Sequence, residues 1–129
     1  MEIRMVPPAS PDPRILKAVQ QQLIDYNNRD IDAYMRHWSD DCRNFEFPDK
    51  LLASGIDQVR ARYTERFKDE ALHARLINRI AVDDMVVDQE VVTRTFPDGI
   101  GEVDIVAIYR VTEGKISHAW FKFGQVRMR

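Results

Sequence analysis

The chain has 129 residues, enough for one domain that buries its own hydrophobic core without a metal or a disulfide. A net charge of −2 gives no electrostatic basis for binding nucleic acid or an anionic membrane. Cys42 is the single cysteine, and the opening segment lacks a signal peptide's apolar core, so we expect a cytoplasmic protein.

The first residues predict an extended arm followed by a helix. Residues 1–12 contain three prolines, which favour extended backbone. Asp12 followed by Pro13 is typical of a helix start, and apolar residues recur at helical spacing up to Asn27 and Asn28. We therefore expect one folded domain over residues 13–126, after an arm at 1–12.

Two shorter helices are predicted next. Asp30 or Asp32 is expected to cap a second helix that ends near Trp38. Ser54 with Asp57 resembles a helix-start signal, and apolar residues at helical spacing follow it. The arginines and lysine on this third helix predict a solvated face.

Strands fill the rest of the chain. Residues 42–47 and 51–53 predict two short strands, and four longer ones are expected over 72–82, 85–96, 100–111 and 115–124. Each break between the longer strands contains residues typical of hairpin turns. The order predicts an α+β fold, with three helices covering one face of a curved sheet and a mostly apolar pocket between the two layers.

The sequence contains none of the common nucleotide, nucleophile or zinc motifs. Its three histidines are scattered, and one cysteine cannot build a zinc-finger site. We therefore expect neither a cofactor nor a metal.

Glu46 stands between two phenylalanines on a predicted strand. Its carboxylate points either into water or into a cavity, and burial in a cavity would raise its pKa into the range useful for proton transfer. In the 85–96 strand, Asp88, Glu90 and Arg94 share one face, but both faces are mixed, so periodicity alone does not decide which is inside.

Several motifs occur in the order found in one known superfamily. They are N-x-x-D-I-D from Asn27, W-x-D-D from Trp38 and E-G-K-I-x-x-x-W-F from Glu113. The chain resembles the SnoaL-like branch of the nuclear transport factor 2 superfamily, which includes ketosteroid isomerase, scytalone dehydratase and polyketide cyclases. The resemblance implies a cone of strongly curved, mixed, mostly antiparallel sheet and a homodimer formed through its outer face.

The resemblance also implies a set of site residues. It puts Glu46 at the general-base position, with Glu90 or Asp88 as the second acid. The predicted substrate-binding residues are Arg94, His73, Trp38, Tyr63 and Gln22; Gln22 stands where relatives carry an oxyanion-binding tyrosine. Arg94 is expected to anchor a substrate carboxylate or enolate.

Three functions are compatible with these residues. The first is a cofactor-independent isomerase, cyclase or dehydratase that acts on a hydrophobic carbonyl compound. The second is a non-catalytic module that binds a small apolar ligand, favoured if every cavity acid is held in a salt bridge. The third is an interaction module with a partner surface at Phe45, Phe47 and Trp120. No interaction with nucleic acid or membrane is expected.

Overall fold

The computed structural model of the chain describes residues 3–7 and 9–129. The described residues before Pro13 form no helix or strand, as expected for an arm. Met1, Glu2 and Pro8, which the predicted arm also includes, lie outside the described residues.

Among the described residues, three helices precede the long strands: α1 (Pro13–Asn27), α2 (Ile31–Met35) and α3 (Ile56–Arg66). The predicted start of α1 is confirmed, because the Asp12 carboxylate accepts a hydrogen bond from the Arg14 amide at 2.9 Å. Asp30 caps α2 by accepting from the Ala33 amide at 3.1 Å. Both caps satisfy amides that have no partner inside the helix.

Two predicted helix boundaries are wrong. The second helix ends at Met35, and Trp38 begins a strand whose register pairs it with Ile116. Pairing with a distant strand therefore overrides the local helical pattern. The third helix is capped by Gly55, at a φ of 90° that suits glycine, while Ser54 ends the preceding strand.

In the part of the chain that the structure describes, six strands form one sheet with the order β2-β1-β6-β5-β4-β3. Only the pair β1–β6 is parallel, and the other neighbours are antiparallel. This confirms an α+β fold with a mixed, mostly antiparallel curved sheet. The strands are β1 (Trp38–Glu46), β2 (Lys50–Ser54), β3 (His73–Val82), β4 (Met85–Phe96), β5 (Gly99–Thr112) and β6 (Lys115–Met128).

The hairpin turns follow the predicted breaks. Glu113 and Gly114 both have positive φ between β5 and β6, as a type I′ turn requires. Asp83 and Gly99 supply positive φ in the other two turns. These tight connections place β3 to β6 in sequence order, so alternate residues of all four strands face the helices.

The core lies between the concave face of the sheet and the three helices. Its most buried side chains come from both layers and include Val19, Tyr34, Val59, Val86 and Ile116. A cavity remains at one end of this interface, next to α1 and α3. Among the described residues, no helix has the length and apolar character needed to span a membrane.

Candidate functional site

A cavity with a volume of about 40 Å³ opens between α1, α3 and the concave face of the sheet. That volume holds a few water molecules. Four tyrosines form much of its wall: Tyr26, Tyr34, Tyr63 and Tyr109. The rest of the lining combines apolar side chains with polar ones, among them Gln22, Glu90 and three arginines.

Glu90 is the carboxyl group that lines this cavity. It points inward from β4, is 6% exposed, and its Oε2 atom is buried without a hydrogen-bond partner. Burial, with a smaller contribution from the charge of Asp88, raises the pKa of Glu90 to about 8. The Glu90 carboxyl is therefore mostly protonated at neutral pH.

Asp88 is held by an ion pair behind the cavity wall. Arg79, on β3, donates to both Asp88 oxygens, at 2.6 Å from Nε and 2.9 Å from Nη2. The Asp88 side chain is 0% exposed, and that of Arg79 is 15% exposed. Asp88 is thus locked in a bidentate pair and is not among the residues that line the cavity.

Two of the tyrosines, Tyr34 and Tyr109, supply hydroxyl groups that stay protonated. Burial raises the pKa of Tyr34 and of Tyr109 well above the ordinary value for a phenol. The Gln22 side-chain amide approaches the Tyr109 hydroxyl at 3.4 Å, and both line the cavity. Gln22 occupies the position where the resemblance implies a tyrosine, and here it contacts a tyrosine from β5.

Three arginines surround the mouth of the cavity: Arg62 and Arg66 from α3, and Arg94 from the end of β4. The same three also line the surface groove that adjoins the mouth. The prediction that the basic residues of α3 form a solvated face therefore holds less well for Arg62 and Arg66, which are half-buried. The prediction fits Arg60 better, because the Arg60 guanidinium pairs with Asp32 on the surface at 2.9 Å.

Glu46 lies at the rim of the sheet and does not line the cavity where sequence analysis expected it. Its side chain is 43% exposed, and one carboxylate oxygen lies 3.8 Å from the Lys50 ammonium. The earlier inward residues of β1, Cys42 and Asn44, are both fully buried. Glu46 is the last residue of β1 and extends past the part of the sheet that the helices cover.

Two other predicted site residues also lie outside the cavity lining. His73 is exposed at the start of β3. Trp38 is 2% exposed and packs behind the cavity wall, with its ring centroid 6.2 Å from that of Tyr63. Of the predicted set, the cavity brings together Glu90, Arg94, Tyr63 and Gln22.

Sequence reasoning missed Tyr109, Tyr26, Arg62 and Arg79. Tyr109 could have been found, because Ile105 and Ala107 alternate with it on the inner face of β5. Arg79 gave no such signal, because its partner depends on the register between β3 and β4. In the part of the chain that the structure describes, no group of three or more His, Cys, Asp or Glu side chains is placed to hold a metal ion.

Comparisons with known proteins agree with this architecture. The family model described as "SnoaL-like domain" matches residues 19–119. A search of curated proteins found no significant match.

Solved structures with the same fold are similar over most of this chain. One is the epoxide hydrolase/cyclase-like enzyme SalBIII, described for pyran ring formation in the polyether salinomycin. It has a TM-score of 0.80 at 16% identity, and the match covers 90% of this chain and 96% of that one. An LEH-like epoxide hydrolase from M. tuberculosis has a TM-score of 0.75 at 14% identity, covering 86% and 83%. A cystatin fold protein from Novosphingobium aromaticivorans has a TM-score of 0.74 at 23% identity, covering 83% and 96%. At these identities the likeness shows a shared fold.

Proposed function

The chain belongs to the SnoaL-like domain family, and from that premise we propose that it is a cofactor-independent acid/base enzyme. Its substrate is a small hydrophobic carbonyl compound, and its reaction is an isomerisation, cyclisation or dehydration. The observation that carries this proposal is the buried Glu90 carboxyl, whose Oε2 has no partner in an aromatic cavity. We therefore assign to Glu90 the acid/base role that the resemblance implied for Glu46.

Glu90 begins the reaction as a proton donor. With a pKa of about 8, the protonated carboxyl donates to a substrate carbonyl oxygen near neutral pH. The carboxylate that remains then accepts a proton from the carbon next to the carbonyl, so that the net change is a keto–enol shift and Glu90 regains its proton. The Tyr109 hydroxyl, which also lines the cavity, orients the substrate oxygen by a hydrogen bond.

Asp88 and Arg79 support this role without touching the substrate. The Asp88 charge favours the protonated form of Glu90, and Arg79 moderates this effect by favouring the ionised form. The bidentate pair holds the Asp88 carboxylate and the Arg79 guanidinium in one geometry.

A non-catalytic binding module would be favoured if every cavity acid were held in a salt bridge. Asp88 is held in such a pair behind the cavity wall, but Glu90, which lines the cavity, forms no salt bridge within 4.0 Å among the described residues. The names of two structural neighbours, an LEH-like epoxide hydrolase and an epoxide hydrolase/cyclase-like enzyme, are those of enzymes. Both observations favour the enzyme over the binding module.

The test follows hydrogen–deuterium exchange at the carbon next to the carbonyl, by NMR, in a panel of small hydrophobic ketones. The wild-type protein should catalyse exchange in at least one ketone, and Glu90→Gln should reduce that rate about 10²–10⁴-fold. Glu46→Gln is the matched control and should retain the wild-type rate. No catalysed exchange in any ketone, or full activity in Glu90→Gln, would count against the proposal.

We also propose that two copies of the chain pair through the outer face of the sheet. Trp120 stacks there on Phe45 and His118, with ring centroids 5.8 and 5.5 Å apart, and all three side chains are only partly buried. Sedimentation analysis should give twice the chain mass, and Trp120→Glu should shift it to one chain mass. A wild-type protein that sediments as a single chain would contradict this.

A further inference from the structure

The three arginines at the cavity mouth have no acidic partner of their own. Across residues 3–7 and 9–129, no carboxylate lies within 4.0 Å of the guanidinium group of Arg62, Arg66 or Arg94. Arg62 instead donates to two neutral acceptors, Asn44 Oδ1 at 3.2 Å and the Tyr63 hydroxyl at 3.1 Å. These contacts orient the group and leave its charge uncompensated.

Aromatic rings hold the mouth arginines as well. The Arg62 guanidinium lies 5.2 Å from the Tyr63 ring centroid and 5.6 Å from that of Phe121. The Arg94 guanidinium lies 4.8 Å from the Phe96 ring centroid. Cation–π contacts position a guanidinium without using up the N–H groups that bind an anion in its plane.

The acids nearest the mouth are already engaged. Asp69 accepts hydrogen bonds from the amides of Thr95 and Ala71, at 2.7 and 3.0 Å. Although partial burial raises it, the pKa of Asp69 is held below its ordinary value by these bonds and by the charge of Arg66. Glu65 pairs with Lys68 at 3.0 Å. Two carboxylates thus line the groove with the three guanidinium groups, and both are already engaged by other donors.

This arrangement disfavours the folded chain when nothing is bound. Arg62 and Arg66 are four residues apart on α3, where like charges repel across one helical turn. Arg94 adds a third positive charge at the same opening. An anion at the mouth would relieve this repulsion, and guanidinium groups match the two oxygens of a carboxylate.

We propose that the substrate carries a carboxylate that Arg62, Arg66 and Arg94 bind at the mouth, while its apolar part enters the tyrosine-lined cavity. This rests on the proposed function, because it takes the cavity with Glu90 to be the reaction site. The carbonyl then lies deeper than the carboxylate. Since the Glu90 carboxyl is protonated near neutral pH, it does not repel the bound anion.

Three matched probes test the proposal: phenylacetate, its neutral amide phenylacetamide, and benzylphosphonate. NMR titration of the wild-type protein should show phenylacetate binding more tightly than the other two. Each of Arg62→Gln, Arg66→Gln and Arg94→Gln should weaken phenylacetate roughly tenfold to hundredfold and leave phenylacetamide unchanged. Arg60→Gln is the control from the same helix, and it should change neither affinity.

Equal affinity for phenylacetate and phenylacetamide would overturn the proposal, as would no detectable binding of phenylacetate. Tighter binding of benzylphosphonate would also overturn it, because the anion would then belong to another class. Glu90→Gln separates this inference from the proposed function: the variant should lose proton exchange but keep the preference for phenylacetate. A protein that exchanges substrate protons without preferring the carboxylate would refute only the inference.

Discussion

Glu90 and Glu46 carry the same carboxyl group on strands of one sheet, yet their surroundings differ. Glu90 is 6% exposed, lines the cavity and leaves one oxygen without a partner. Glu46 has a 43% exposed side chain and a lysine ammonium 3.8 Å away. The helices cover Glu90 and leave Glu46 uncovered. Cover by the second layer of the fold therefore determines which acid is buried in the cavity, whatever residues flank it in sequence.

The largest expected effect is on the free energy of unfolding when a cation near either glutamate, Arg79 or Lys50, is removed. Arg79→Met removes the partner of a fully buried carboxylate, so we expect it to lower the free energy of unfolding by about 3–5 kcal/mol. Lys50→Met removes an exposed partner and should cost less than about 1 kcal/mol. Urea denaturation of both variants measures the contrast.

The double variant Arg79→Met/Asp88→Leu is the control for the buried pair. Replacing both charges by apolar side chains leaves no unpaired buried ion, so much of the lost stability should return. If Arg79→Met were as stable as the wild type, the Asp88 carboxylate would not be held in the buried pair, and its effect on Glu90 would lose its basis.

The next effect is the pH dependence of stability. Glu90 has a folded pKa of about 8 against an ordinary value of 4.5. Between these values the unfolded chain ionises while the folded chain stays protonated. The contribution of Glu90 to the free energy of unfolding is therefore fully present below pH 4.5. It is lost as the pH rises toward 8, by at most about 1.4 kcal/mol per pH unit.

Chemical denaturation at several pH values checks this slope. The Glu90→Gln variant should lose this part of the decline, because its amide does not titrate. Glu46→Gln is the matched control and should keep the decline, because it retains Glu90. A decline of the same size in Glu90→Gln and the wild type would mean that another group is responsible.

The sequence predicts which residues share a face of a strand. It does not predict which part of the sheet the helices cover, or the register between strands. Alternation correctly grouped Asp88, Glu90 and Arg94 on one face of β4, and the structure shows that face turned toward the helices. Alternation placed Glu46 on the same side of β1 as the buried Cys42 and Asn44. The prediction that Glu46 lies in the cavity failed because Glu46 is the last residue of the strand. The pairing of Asp88 with Arg79 depends on a register irregularity between Leu76 and Asn78, which no local pattern encodes.

The smallest expected effect is the coupling between Glu46 and Lys50. Their charged atoms are 3.8 Å apart, and both side chains are largely solvated, at 43% and 73% exposure. Water screens such a pair, so a double-mutant cycle with Glu46→Gln and Lys50→Met should give about 0.2–1 kcal/mol, and less in high salt. A coupling of several kcal/mol that resists salt would mean that the rim is covered in solution. The difference between the two glutamates would then come from an assembled protein rather than from the single chain.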